Sequence, residues 1–578
     1  MFFNLPDLSP VVPKCVDCCK THPPRAVLPP SPFQSIAAYG FLPTVSEAAA
    51  IRNFVQDIDA QIACREHAIL TLEASPALDR LVCECVQLRR HSEQHKALIA
   101  PIQRVPPEII AEIFLWSAQL EARWSELWIQ LHSSDSREVE RRQSDLIEPR
   151  IHRAPMLFGE ICREWRNVAL TTPRLWNSIA LRCSTPTDLQ CNVHLCDTWL
   201  KRSGMLPLSI RVYRDSCARL SIVTCTTHYE NLLKTILPYA NRWRWLHLDF
   251  PSHSYHIFDR LSPAAVPRLE SLSVVHSDEP PNALYPRWTG FQVTPKLYDL
   301  KFDRIGAANI RVGVDQPTFA WSQLTRIEVG DCSVDDCLAI LAQAPVAKIC
   351  VFGVERGSHL EAHVITHPTL QTLTIKSSVT LRSFWNRLKC LSLSTLVVRM
   401  EGHPETAEDL PHFIARCSGT IEDFTLRGSG LNDSQFLACL HNMPILRNLY
   451  VSEHGAGTQL TDRLWESLSI SRPRLIPKLE SLTLAGGQSF RDKKLARMLM
   501  SRTRRGRRNS PLKTVDLYIH RKMSDAGFSK IYNCVHSGLG LQLQIDLEYD
   551  EDVVTDSDDS GDSDEDLSSD EEDGYSSE

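Results

Sequence analysis

The sequence predicts an α/β protein in which a helical N-terminal part precedes a long run of strand–turn–helix units, with disordered ends. Three observations lead there. Apolar residues recur at helical spacing over 46–100 and again between 105 and 170. From about residue 205 a short pattern, apolar-x-x-apolar-x-apolar, returns every 22 to 33 residues. The two ends, one rich in proline and one in acid, have compositions that cannot bury a core.

Composition excludes several classes. Apolar residues make up 43% and charged residues 23%, ordinary values for a globular protein. A chain of 578 residues is expected to form several structural units. Nineteen cysteines, an odd number without framework spacing, read as mostly reduced thiols in a cytosolic or nuclear protein. No apolar run reaches about 18 residues, so no membrane span is expected. The opening MFFNLPDLSPVVPK places prolines where a signal peptide needs an apolar core.

Residues 1–45 carry nine prolines and are expected to be disordered. Cys15, Cys18, Cys19 and His22 lie there. Thiolates at that spacing can share a zinc, but a second paired cluster is missing, so a free-thiol tail is preferred and no metal or other cofactor is expected. Over 46–100, Ile51, Val55, Ile58, Ile62, Ile69 and Leu72 form one apolar seam, with Arg65 filling a slot. Leu81, Cys85, Leu88 and Ile99 form a second. The register changes at Ser75-Pro76, where Ser75 can cap a new helix and Pro76 can occupy its first turn. The seams fit either an intermolecular coiled coil or a helix pair within the chain, and their short, interrupted length favours the pair.

Residues 101–117 read PIQRVPPEIIAEIFLWS. Prolines in a first turn, followed by Glu108 at the positive end of the helix dipole, open a helix whose Ile109, Ile110, Ile113 and Phe114 are apolar. Residues 118–150 are polar and charged and read as an inserted loop. Over 156–180, Leu157, Ile161, Trp165 and Val168 share one helical face, Pro173 ends that helix, and Trp176 follows as an anchor.

This pair of segments resembles the F-box, a three-helix module that docks on a Skp-type adaptor of cullin-based ubiquitin ligases. The matching residues are Val105-Pro106-x-Glu108-Ile109-x-x-x-Ile113-Phe114, then Ile161-Cys162-Arg163-x-Trp165-x-x-Val168-Ala169, then Pro173-Arg174-Leu175-Trp176. The order of parts is similar to a group of fungal F-box proteins with a C-terminal leucine-rich-repeat-like region. Val105 stands where leucine is usual, and the charged insert is longer than in a compact F-box. The resemblance implies an F-box over 101–182 whose candidate adaptor-binding or framework residues are Val105, Pro106, Glu108, Ile109, Ile113, Phe114, Ile161, Cys162, Trp165, Val168, Leu175 and Trp176.

Eleven instances of the short pattern follow. They are Trp243/Leu246/Leu248, Leu269/Leu272/Val274, Leu297/Leu300/Phe302, Leu324/Ile327/Val329, Val346/Ile349/Val351, Leu370/Leu373/Ile375, Leu393/Leu396/Val398, Ile421/Phe424/Leu426, Leu446/Leu449/Val451, Leu479/Leu482/Leu484 and Leu512/Val515/Leu517. Each sets up a strand with alternate residues inward. The intervals leave room for a turn and a helix, as at 334–341 and 433–440, and prolines such as Pro345 and Pro444 often precede the next strand. One such unit cannot bury its apolar face alone, whereas a stack can. The pattern resembles irregular leucine-rich repeats, which implies a solenoid over 205–549 whose strand face binds a protein partner.

Residues 491–508 hold nine basic residues, including Arg502, Arg504, Arg505, Arg507 and Arg508. This cluster is a candidate nuclear-import signal; without interleaved aromatics it does not suit stacking on nucleic acid. Residues 550–578 carry 15 Asp/Glu and no Lys or Arg, leaving 63 basic against 55 acidic residues in the rest. Thr555, Ser563, Ser568 and Ser569 each have an acid three residues on and are candidate phosphosites. Glycine-loop, HExxH and GxSxG motifs are absent, and Asn432-Asp433-Ser434 is a chance glycosylation match. The expectation is a non-enzymatic subunit that recruits a Skp-type adaptor, and through it a cullin, while the repeats hold an unidentified target protein. The alternative is a ligase-independent repeat scaffold binding basic proteins, in the nucleus if the basic cluster acts as an import signal.

Overall fold

The computed structural model describes residues 29–31, 43–71, 76–132, 153–183, 185–214, 222–276, 288–304, 319–358, 364–400, 409–417, 419–428, 431–453, 461–470, 475–486, 491–503, 512–519, 529, 531–532 and 542–546. The chain divides into two units, residues 1–257 with 265–269, and residues 258–264 with 270–578. It is α/β, with a long parallel sheet and many helices.

The first unit begins with two long helices, α1 (Val45–Thr71) and α2 (Pro76–Leu98), packed antiparallel on each other. Pro76 opens α2, where its missing N–H costs nothing. Ile58 and Ile62 pack with Leu88, and Ile51 and Val55 with Phe54, Leu98 and Ile99. Arg65, the polar residue in the seam, pairs with Glu84 at 3.1 Å, and the Ser92 hydroxyl donates to Asp59 at 2.6 Å. These heptad seams therefore close within one chain.

Three further helices follow: α3 (Pro107–His132), α4 (Phe158–Ile161) and α5 (Arg163–Thr171). Two expectations need correction here. The insert expected over 118–150 does not begin at 118, because α3 continues to His132. The stretch AQLEARWSELWIQLH has no glycine or proline and is rich in good helix formers. Nor do Leu157, Ile161, Trp165 and Val168 share one helix. Cys162 is extended (φ −155°, ψ 170°) and separates α4 from α5.

The parallel strands also start earlier than expected. β1 (Ser178–Cys183) lies inside the segment assigned to the helical module, ahead of residue 205. It pairs with β2 (Leu208–Arg214), which pairs with β3 (Trp243–Phe250). The helices α6 (Pro186–Arg202) and α7 (Ile222–Ile236) pack on each other. A capping box starts α6, with Thr185 accepting from the Asp188 N–H and Asp188 accepting in return.

In the second unit the strands succeed one another in parallel: β4 (Ser271–His276), β5 (Asp299–Phe302), β6 (Arg326–Ser333) and β7 (Ile349–Arg356). A small side ladder joins β8 (Ile365–His367) to a later strand, while β9 (Thr372–Ser377) continues the main sheet. The side-ladder partner is β10 (Leu388–Cys390), and β11 (Thr395–Met400) follows β9. The series ends with β12 (Asp423–Arg427), β13 (Asn448–Glu453), β14 (Ser481–Gly486), β15 (Thr514–Ile519) and β16 (Gln542–Asp546). Between strands run α8 (Val334–Gln343), α9 (Arg382–Arg387), α10 (Leu410–Arg416), α11 (Asp433–His441), α12 (Asp462–Ile470) and α13 (Asp492–Thr503). Ser333 with Asp336, and Asn432 with Gln435, form capping boxes that start α8 and α11. Asn432, in the glycosylation-like triplet, thus has its side chain committed to a helix cap.

The inward residues stand in lateral register. Leu272 lies beside Leu300, Leu300 beside Ile327, and Ile327 beside Cys350. The row continues through Leu373, Leu396, Phe424, Leu449, Leu482 and Val515. A second row runs from Val274 through Phe302 and Val329 to Leu517. One instance of the pattern is corrected by a single residue: Ala347, Cys350 and Phe352 are buried, whereas Val346 is exposed and Ile349 and Val351 are only half-buried. In a run as apolar as AKICVFGV the two strand faces look alike in sequence, and a one-residue slip exchanges them.

This assignment makes opposite demands on adjacent residues. Phe352→Ala is expected to cost about 3–5 kcal/mol of unfolding free energy, and Val351→Ala about 1 kcal/mol or less, in urea titrations of the two variants. Equal losses would contradict the register.

Candidate functional site

Two surfaces stand out, one in each unit. The first is on the helical module. On α3, Ile110, Phe114, Leu115 and Ala118 are buried. Phe114 stacks on Phe158 with ring centroids 3.9 Å apart and meets Trp165 edge-on at 5.0 Å. The Cys162 thiol caps α5, accepting from the Trp165 N–H at 3.4 Å, which gives the Cys-x-x-Trp spacing a local role. The Trp176 indole donates to the Ala169 carbonyl at 2.7 Å and packs edge-on against Trp199 of α6 at 4.7 Å. The Arg202 guanidinium lies 4.6 Å from the Trp176 ring centroid. Arg174 pairs with Glu112 at 2.7 Å, tying the turn after α5 to α3.

The opposite side of α3 carries a second apolar stripe, and it is open to water. Ile109 (52% exposed), Ile113 (47%), Trp116 (64%) and Leu120 (51%) follow at i, i+4, i+7 and i+11, which is one helical face. Ile161, at the end of α4, is 53% exposed. Single exposed apolar residues are ordinary, but an uninterrupted stripe marks a contact surface. Covering these side chains would contribute about 1 kcal/mol or more apiece.

The twelve residues proposed from sequence thus separate. Phe114, Val168, Leu175 and Trp176 are buried and form the framework. Pro106, Glu108, Ile109, Ile113 and Ile161 are exposed, and Val105, Cys162 and Trp165 are half-buried. Trp116 and Leu120 were missed by the sequence reading, although continuing the i, i+4, i+7 count past Ile113 would have found them. Phe158, the stacking partner of Phe114, was missed as well.

The second surface is the outward side of the strands in the second unit. Here side chains form lateral rows in which charges alternate. Arg326 sits 3.5 Å from Asp299, and Lys301 sits 2.7 Å from Glu328. Just before the strands, Arg447 bridges Glu422 at 3.1 Å and Glu480 at 2.6 Å, while Lys513 reaches Glu480 at 2.5 Å. The Lys513 ammonium and then Arg447 hold Glu480 below the usual carboxylate range. Asp423 accepts from the Thr395 hydroxyl at 3.2 Å and from the Asn448 amide. Such a face offers polar, directional contacts.

The basic cluster requires a further correction. Arg502 is not part of an exposed patch: it is 3% exposed and donates to the carbonyls of Leu468 (3.1 Å), Leu475 (2.7 Å) and Ile476 (2.9 Å). It ties the carbonyl of Leu468 in α12 to those of Leu475 and Ile476, giving all three a buried donor. Arg504, Arg505, Arg507 and Arg508, the tail sites Thr555, Ser563, Ser568 and Ser569, and Cys15, Cys18, Cys19 and His22 lie outside the described residues. Among the described residues no group of three or more His, Cys, Asp or Glu is placed to hold a metal, and no helix is long and apolar enough to cross a membrane.

The two faces of α3 should respond differently to truncation. Phe114→Ala is expected to cost about 3–5 kcal/mol, whereas Ile109→Ala and Ile113→Ala should each stay within about 0.5 kcal/mol, by thermal or urea unfolding. A large loss from Ile109→Ala would place that side chain in the core.

No family model matches the chain, and no curated protein matches it. Among solved structures, one described as the crystal structure of a TLR13–ssRNA13 complex is similar at 10% identity and a TM-score of 0.22. The match covers 64% of this chain and 62% of that chain, so the likeness spans less than two thirds of its length.

Proposed function

We propose that the chain is the substrate-recognition subunit of a Skp-cullin-F-box type ubiquitin ligase, with the helical module as its F-box. On this reading the strands and helices of the second unit are an irregular leucine-rich-repeat solenoid, and its outward strand face holds the target. The observation that carries the proposal is the exposed stripe of Ile109, Ile113, Trp116 and Leu120, which lies on the helix that bears the Pro-x-Glu-Ile resemblance. It backs onto the buried Phe114, Phe158 and Trp176 and the half-buried Trp165, so its shape is set before any partner arrives. A rigid apolar helix face suits a helical, apolar groove on an adaptor. The contribution to catalysis is to bring the target near ubiquitin-loaded subunits, which is proximity alone. That the helix carrying the stripe runs to His132 also bears on the reading: the longer insert begins beyond the stripe and leaves it uninterrupted.

Co-purification of the full chain with a Skp-type adaptor tests this. The wild type is expected to bind stoichiometrically, and an Ile109→Asp/Ile113→Asp variant to lose binding by tenfold or more while keeping the wild-type melting midpoint. A folded wild type that fails to bind would favour the ligase-independent scaffold.

A further inference from the structure

In the first unit, part of the proline-rich segment ahead of α1 lies against α2. The Ser31 hydroxyl meets the His95 Nε2 at 2.6 Å. The other ring nitrogen settles the tautomer. His95 Nδ1 lies 2.8 Å from the His91 carbonyl oxygen, which can only accept, so Nδ1 carries the proton and the neutral ring's Nε2 accepts from Ser31. The His91 and His95 rings meet edge-on at 4.5 Å, and Phe54 of α1 packs on them at 5.8 and 4.8 Å. His95 is buried, and the His91 Nε2 is buried and meets no hydrogen-bond partner among the described residues. A proton added there would sit on a buried nitrogen without an acceptor, beside a second imidazole. Neighbouring charges do not compensate it. One helical turn away on α2 stand Gln87, Leu88, Gln94 and His95, none of them a carboxylate. Glu93 turns to Lys96 at 3.1 Å. On α1, Asp59 is held by Ser92 at 2.6 Å and Lys96 at 3.2 Å, and Asp57 is exposed. Residues 26–43 carry no Asp, Glu, Lys, Arg or His, so the segment itself brings no charge.

We propose that Pro29-Pro30-Ser31 is a strap that stays on the α1–α2 pair while His91 is neutral and comes away when His91 takes up a proton. The docked strap keeps water from the two rings, and an imidazolium there has neither solvent nor a counter-charge. The open state returns it to water. Burial first, and then His95, push His91 below its ordinary value of 6.5, against an opposing pull from the Pro29 carbonyl. Because the docked value is the lower one, the open state binds more protons between that value and 6.5. Docking is therefore complete at neutral pH and weakens as the pH falls below about 6.5. One histidine freed from burial shifts the balance by up to about tenfold one pH unit below its ordinary value. The inference concerns α2 and its strap, goes beyond the ligase reading, and holds whether or not α3 docks an adaptor.

The test uses the full chain and backbone amide exchange read by mass spectrometry on peptides that contain Ser31, with rates corrected for their intrinsic pH dependence. Protection is expected to fall about three- to tenfold between about pH 7.5 and about pH 5.5, while peptides from the middle of α1 and α2 keep theirs. A His91→Phe variant keeps a ring against Phe54 but cannot titrate, so its strap should stay protected at both pH values. A Ser31→Ala variant should lose protection severalfold already at pH 7.5. A second measurement needs no change at His91. Exchange of the histidine C2 hydrogen, followed across pH, reads the titration midpoint of His91 in the folded chain. That midpoint should lie below 6.5 in the wild type and move up toward it in Ser31→Ala. Equal protection at the two pH values in the wild type would overturn the proposal, as would an undiminished fall in His91→Phe. A His91 midpoint that ignores Ser31→Ala would show that the strap does not govern the ring's burial, and would overturn it too.

Discussion

The lateral register of inward side chains is the constraint on which the second unit depends. Because each strand is parallel to the next and aligned residue for residue, Leu300, Ile327, Cys350 and Leu373 form one continuous buried row. No strand owns a complete core; each supplies two or three side chains that are buried only because its neighbours are present. This explains why the repeat tolerates so much variation. Cys350 can stand where others carry leucine, and Phe424 where others carry a smaller residue, provided that the row stays apolar and filled. It also explains where variation is not tolerated. Gly330 cannot take a side chain, because a Cβ there would lie 2.1 Å from the carbonyl oxygen of Asp303, the residue that follows β5.

The same register that stacks apolar residues inward aligns polar residues outward. A charge on one strand therefore meets its neighbour's charge at a fixed, short distance, and the sequence must either alternate signs or bear a repulsion. The Glu422–Arg447–Glu480–Lys513 ladder shows the first solution. These solvent-screened pairs contribute little stability individually. Their larger effect is to leave that part of the face locally neutral.

Much of this was legible in the sequence because period-two burial survives wherever polar residues alternate with apolar ones. Trp243, Leu246 and Leu248 announce β3 in this way, and nine of the other ten instances follow the same rule. Legibility fails for definite physical reasons. In AKICVFGV both faces are apolar, so the pattern fits two registers, and only the neighbouring strands choose Cys350 and Phe352. At Cys162 an apolar stripe at helical spacing runs through a break, since spacing records which residues are apolar and carries no information about a cap in extended conformation. Arg502 misleads because a buried arginine and a surface arginine look alike in composition; three carbonyls that exist only after folding decide between them.

The helical module shows why such ambiguity is greatest where function is expected. Ile109, Ile110, Ile113 and Phe114 are all apolar, and hydrophobicity alone would put all four in the core. A helix facing one core needs an apolar arc of about 100°, and α3 carries more than that. The surplus arc, Ile109–Ile113–Trp116–Leu120, cannot be satisfied by α5 and Phe158, which occupy the opposite face with Phe114. A chain that retained this surplus without a partner would carry a standing aggregation hazard. The excess of apolar surface over what the module's own packing can absorb is thus the physical reason for expecting a second protein there. It rests on the exposure of these four side chains and is independent of the family resemblance.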